Sequence, residues 1–176
     1  MTRHLSRPLG LLFALALAAT PALAQRRPVQ LSLVSPVQIF PPQDTIAGVR
    51  LNLLYGKNAM VVGLDVGIAN HTTGLTRGLQ YGLVDISEDF QGWQYGVVTI
   101  ANGKFEGFQE GIVNVSDTFR GFQLGWVNHA MDAEGLQLSI VNYARRLKGL
   151  QIGLVNIISE GGMFPVFPIF NVGKKE

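Results

Sequence analysis

Three consecutive segments decide the fold: Gly121-Phe122-Gln123-Leu124-Gly125-Trp126-Val127-Asn128, Gly135-Leu136-Gln137-Leu138-Ser139-Ile140-Val141-Asn142 and Gly149-Leu150-Gln151-Ile152-Gly153-Leu154-Val155-Asn156. They share the pattern G-Φ-Q-x-G-Φ-V-N, where Φ is a large apolar residue. Read backwards, the same pattern starts at Gly107, Gly92 and Gly78, with looser copies at Gly63 and Gly48. Successive starts are 14 or 15 residues apart. A fixed short period of this kind marks a repeat architecture, in which no unit folds alone and each covers its neighbour.

Alternation at period two makes the core of each unit a strand. One face carries the second, fourth and sixth positions, such as Leu79, Tyr81 and Leu83, or Leu150, Ile152 and Leu154. The other carries glutamine, glycine and valine, such as Gln151, Gly153 and Val155. Between cores lies a variable stretch with one small residue, such as Ala130 or Ala144, and one apolar residue: Phe90, Phe105, Phe119 or Leu147. The extra residue of a 15-residue unit is expected in that stretch, where it leaves the strand face unchanged.

Two all-β architectures fit. The preferred one is a short-coil β-solenoid, with coils stacked about 4.8 Å apart. Its apolar positions would pack mostly against each other. Asn114, Asn128, Asn142 and Asn156 would form one amide ladder, and Gln80, Gln94, Gln109, Gln123, Gln137 and Gln151 another, each satisfying the next. The alternative is a ten-stranded outer-membrane β-barrel, one strand per unit plus Val29–Val34 and Pro165–Val172. Its apolar face would meet lipid, and its function would be passage or anchoring.

Residues 1–24 read as a signal peptide. Arg3, His4 and Arg7 give a basic start, Leu9 to Ala19 an apolar core, and Pro21-Ala22-Leu23-Ala24 a small-residue cleavage site before Gln25. The expected organisation is this signal, a strand and loop over 25–47, eight repeat units over 48–162, and a closing segment over 163–176. Without cysteine there is neither a lipid anchor nor a disulfide framework. The formal charge of +2 comes from 14 Lys and Arg against 12 Asp and Glu. Loss of Arg3 and Arg7 with the signal brings it to zero, with the signs interspersed, which argues against a nucleic-acid partner.

The order of parts also carries a family resemblance. Leu31-Ser32-Leu33-Val34-Ser35-Pro36, then Leu51-Asn52-Leu53-Leu54-Tyr55-Gly56, the repeats, and finally Pro168-Ile169-Phe170-Asn171-Val172-Gly173 resemble the bacterial surface-repeat family first named from spirochaete proteins, the LA_2272-type surface repeat proteins. The resemblance covers roughly residues 29–173. It implies an exported, surface-associated protein of the cell envelope and supplies no catalytic residues. Ser139 in place of the inner glycine, and Asp85 and Thr99 in place of asparagine, are mild departures.

No residues are singled out as catalytic, cofactor-binding or metal-binding. There is no Walker A motif, dinucleotide fingerprint or serine elbow. His71 and His129 occupy equivalent positions four units apart, about 19 Å in a stack of coils and too far for one metal. Asp85, Glu88 and Asp89 form a small acidic loop without calcium-loop spacing, read as a solvated turn. Arg145, Arg146 and Lys148 form a small basic cluster, read as a solvated loop. Glu110 is the anomaly, a carboxylate where other units carry Tyr81, Tyr95, Leu124, Leu138 or Ile152. Trp93, Phe108, Phe122 and Trp126 lie in consecutive units beside Tyr81 and Tyr95, as strand packing or as an exposed aromatic ridge. The expectation is a non-catalytic exported repeat protein, a structural module or binding scaffold. It needs no cofactor, and its partner is the envelope or membrane surface, a protein or a glycan.

Overall fold

The computed structural model describes residues 25–174. The expected signal peptide lies outside the described residues. Seven strands form one sheet: β1 (Arg26–Val34), β2 (Val37–Gln38), β3 (Thr45–Asn58), β4 (Met60–Tyr81), β5 (Val84–Leu138), β6 (Val141–Glu160) and β7 (Val166–Gly173), in the order β2-β1-β3-β4-β5-β6-β7. The long strands are not straight. β5 winds through several coils, because its backbone stays extended around the bends.

Pairing is parallel from β1 to β6, with register set by the repeat: Gly48 opposite Gly63, Gly78 opposite Gly92, Gly135 opposite Gly149. The chain is therefore a β-solenoid. The barrel alternative fails on this point, since an up-and-down barrel needs successive units to run antiparallel. Among the described residues antiparallel pairing occurs only at the two ends, where β2 folds onto β1 and β7 onto β6. These end strands cover coil edges that would otherwise template further stacking.

The interior is the opposite of the expected one. The second, fourth and sixth positions of the repeat point outward: Leu79, Tyr81, Leu83, Trp93 and Trp126 are exposed, and Leu154 is 70% exposed. Gln80, Gln94, Gln109, Gln123, Gln137 and Gln151 are buried, as are Asn114, Asn128, Asn142 and Asn156. Two further inward columns come from the variable stretch. One holds Phe90, Phe105, Phe119, Ala133 and Leu147; the other holds Ser87, Ala101, Ser116, Ala130, Ala144 and Ile158. The inward positions of the strand core are the glutamine, the inner glycine and the asparagine, whose amides bond along the stack, and the large apolar residues of the strand are left outside. The valine expected beside glutamine also lies outward, as Val84, Val127 and Val155 are exposed. The alternation breaks between the sixth and seventh positions, where the coil bends.

The first glycine of each unit makes another bend. Gly48, Gly63, Gly78, Gly92, Gly107, Gly121, Gly135 and Gly149 all have φ between 126° and 151°, and a Cβ on any of the last seven would collide with the carbonyl oxygen of the glycine one coil earlier. Glycine repeats there because no other residue fits both the dihedral and the stack. Of the 15-residue units, that starting at Gly63 shifts register between Thr72 and Leu75, in the variable stretch as expected. The unit starting at Gly48 instead bulges between Asn52 and Tyr55, inside the strand core.

Candidate functional surface

Two side-chain ladders run through the interior. In one, each glutamine Nε2 donates to the Oε1 one coil nearer the N-terminus: Gln94 to Gln80 at 2.8 Å, Gln109 to Gln94 at 3.1 Å, Gln123 to Gln109 at 2.7 Å, Gln137 to Gln123 at 2.6 Å and Gln151 to Gln137 at 2.8 Å. In the other, asparagines donate the opposite way: Asn114 to Asn128 at 2.8 Å, Asn128 to Asn142 at 3.0 Å and Asn142 to Asn156 at 2.9 Å. The amide dipoles of the two columns therefore oppose each other along the axis.

The glutamine ladder ends on a charge. Gln80 donates to Asp65 Oδ2 at 2.7 Å, and the fully buried Arg50 grips both carboxylate oxygens at 2.7 and 2.6 Å. Arg50 also donates to the His71 carbonyl at 3.0 Å and Thr72 Oγ1 at 3.2 Å. The buried carboxylate thus sits at the donor end of a column of aligned dipoles and is paired with a guanidinium held on several sides. Arg50 and Asp65 occupy the glutamine slots of the units starting at Gly48 and Gly63. Each stands second after its glycine, so the pairing was readable in the sequence, although those two units look the most degenerate.

Asp85 is not part of a solvated acidic turn. It fills an asparagine slot, fully buried, and accepts from Asn70 Nδ2 at 2.7 Å, while its other oxygen has no partner. Burial, helped by nearby Asp65, pushes its carboxyl up to about 7 against the opposing Asn70 hydrogen bond. The next rung, Thr99, donates onward to Asn114 Oδ1 at 2.6 Å. Glu88 remains exposed, and Asp89 accepts from the Lys104 backbone N–H at 2.7 Å. Ser139 is accommodated by donating to Asn142 Oδ1 at 2.8 Å.

The remaining singled-out residues lie outside the ladders. His71 accepts or donates a 2.8 Å hydrogen bond with the Tyr55 hydroxyl, and burial beside Lys57 and Arg50 lowers its basicity. His129 stacks on Tyr143, with ring centroids 4.9 Å apart. The expected basic cluster is partnered rather than merely solvated. Arg146 forms two bonds with Asp132, at 2.6 and 2.8 Å, Arg145 lies 3.5 Å from the same carboxylate, and Lys148 pairs with Glu134. Among the described residues no group of three or more His, Cys, Asp or Glu is placed to hold a metal ion.

No family model, curated protein or solved structure matches this chain.

What distinguishes the exterior is its one apolar side. Tyr81 and Tyr95 stack at 5.0 Å, Trp93 tilts against Phe108 at 5.6 Å, and Phe108 stacks on Phe122 at 5.1 Å. A groove of about 480 Å³ runs along this side over Gly82, Gly96, Gly111 and Gly125. Tyr81, Tyr95, Glu110 and Leu124 form one wall, and Leu83, Val97, Ile112 and Trp126 the other. The aromatic ridge is thus on the outside. Glu110 is half-buried within it and makes no side-chain hydrogen bond or ion pair among the described residues.

Proposed function

We propose that this chain is an exported, non-catalytic structural module of the cell envelope, and that its working surface is the apolar side of the solenoid. One observation carries the reading: outward columns of Leu, Ile, Val, Phe, Tyr and Trp run unbroken along the stack except at Glu110. A ligand-binding scaffold breaks its repeat to set a few convergent polar groups in a pocket, and this side breaks its pattern only at Glu110. A monomer rarely displays an apolar patch larger than about 600 Å² without a partner for it. Support for the envelope comes from the basic, apolar and small-residue segments of residues 1–24 and from the resemblance to surface repeat proteins.

Cell fractionation with N-terminal sequencing tests the location. The mature chain is expected in the envelope fraction, beginning at Gln25. A chain retaining Met1 in the cytoplasm overturns the reading.

A further inference from the structure

We propose that the apolar side is closed by a second copy of this chain, packed face to face about a two-fold axis near Glu110. This deepens the structural-module reading and rests on it for the choice of surface. The area fits. The outward columns span ten rungs, from Leu31 and Leu33 on β1, through eight units, to Phe170 on β7. At about 4.8 Å per rung and 3.3 Å per residue across the strand, the side measures on the order of 700 Å². Two such sides bury about 1,400 Å² together, within the range of stable interfaces.

The chemistry favours a copy over a membrane. Interfacial proteins flank their apolar side with Lys and Arg that meet lipid headgroups. The column bordering this side carries both signs, already paired: Arg120 lies between Glu106 and Glu134, and Lys148 binds Glu134. A self-neutralised rim gives no attraction to an anionic bilayer, while it accepts its own mate turned through a two-fold rotation. Flat strand faces with alternating ridges and grooves also pack on one another in the manner of sheet sandwiches, about 10 Å apart.

Glu110 marks the centre. Counting β1 and β7, the middle of the ten rungs falls between Tyr95 and Glu110, on the central outward column. A two-fold axis there places the two Glu110 side chains beside each other. They are the one unfavourable pair of the interface and its most specific reporter.

The experiment uses the mature protein purified without detergent. Sedimentation across a concentration series is expected to show a dimer. Ile112→Lys, on the exposed side of the groove, is expected to weaken association at least tenfold while circular dichroism stays unchanged. Glu110→Gln is expected to strengthen it. Because the chain has no cysteine, Glu110→Cys should cross-link to itself under mild oxidation, and Asp117→Cys on another side of the coil should not. A monomer at every concentration overturns the proposal. So does a monomer that floats with phosphatidylcholine or phosphatidylglycerol vesicles, which assigns the side to lipid, or a dimer in which position 117 cross-links and 110 does not. Association is read on purified protein and location in cells, so either result stands without the other.

Discussion

The two halves of the solenoid share one backbone and hold different interiors. In the C-terminal coils the inward columns are Phe105, Phe119, Leu147, Ala130, Ala144 and Ile158, beside unbroken Gln and Asn ladders. In the N-terminal coils, beside the apolar Ile46, Val61 and Phe90, the slots hold Arg50, Asp65, Thr72, Thr76, Asp85 and Ser87, all buried, where the C-terminal half has Ser116 as its polar member outside the ladders. Thr76 Oγ1, Ser87 Oγ and Asp85 Oδ2 lack partners there. The difference shows that coil geometry is set by the glycine bends and backbone ladders, which are common to both halves, and that the slots tolerate any side chain of the right width. Stability is another matter. Apolar slots and completed ladders tie each rung to the next by neutral contacts of the same kind, whereas the ionic slots depend on one specific charge pair.

Arg50→Met probes that dependence hardest. It leaves the Asp65 carboxylate buried without its counter-ion, a loss of about 3–5 kcal/mol. Because coils contact only their neighbours, hydrogen exchange should accelerate in β3 and β4 while β6 stays protected. Adding Asp65→Asn should restore most of the loss, since a neutral amide continues the glutamine column. Uniform loss of protection along the stack would show that the halves are not separate.

Phe105→Ala acts on the other half. Phe105 stacks between Phe90 and Phe119, at 5.1 and 5.9 Å, and is fully buried. Its truncation should cost about 3 kcal/mol through lost transfer energy and the cavity left behind. Exchange should quicken from the middle coils outward, with β3 least affected.

Asp85 gives the smaller effect and a sign that depends on pH. Its folded-state value is raised from 3.8 to about 7, so the folded state holds the proton more tightly than the unfolded chain. The stabilisation is therefore full below about pH 4 and is lost as pH rises through 7, a change of a few kcal/mol at most. Asp85→Asn should remove this slope and raise stability at pH 8 by about 2 kcal/mol. Urea midpoints measured from pH 4 to pH 8 check both. A wild-type midpoint that rises with pH across that window contradicts the assignment.

Much of this was legible in the sequence. The period, the parallel stack and the two amide columns follow from one spacing, because an uncharged polar residue at the same place in every unit has to meet its own kind. The orientation of the strand was not legible. Period two states that Leu79, Tyr81 and Leu83 share a face, and it does not state which face is inside. The usual assumption that the apolar face is inside fails here because the inward positions hold the amides that bond one another from coil to coil. Asp85 reads two ways in the sequence, as an asparagine replacement in the repeat and as part of a solvated acidic turn with Glu88 and Asp89; its burial bears out the first reading and overturns the second. Glu110 was correctly seen as the exception on its face, but only the outward turn of that face makes it the centre of a surface.

The inside-out packing is tested most directly by urea unfolding of two reciprocal variants, Gln123→Leu and Leu154→Gln. Gln123 receives the Gln137 amide and donates to Gln109, so leucine there orphans the buried Gln137 Nε2, leaves Gln109 Oε1 with Ser116 alone, and should cost about 1–3 kcal/mol. Leu154, at the outer end of the exposed side, should accept glutamine with a change below about 0.5 kcal/mol in protein dilute enough to be monomeric. If Gln123→Leu is instead neutral or stabilising and Leu154→Gln is the damaging change, the apolar face is the core and the polar interior described above is wrong.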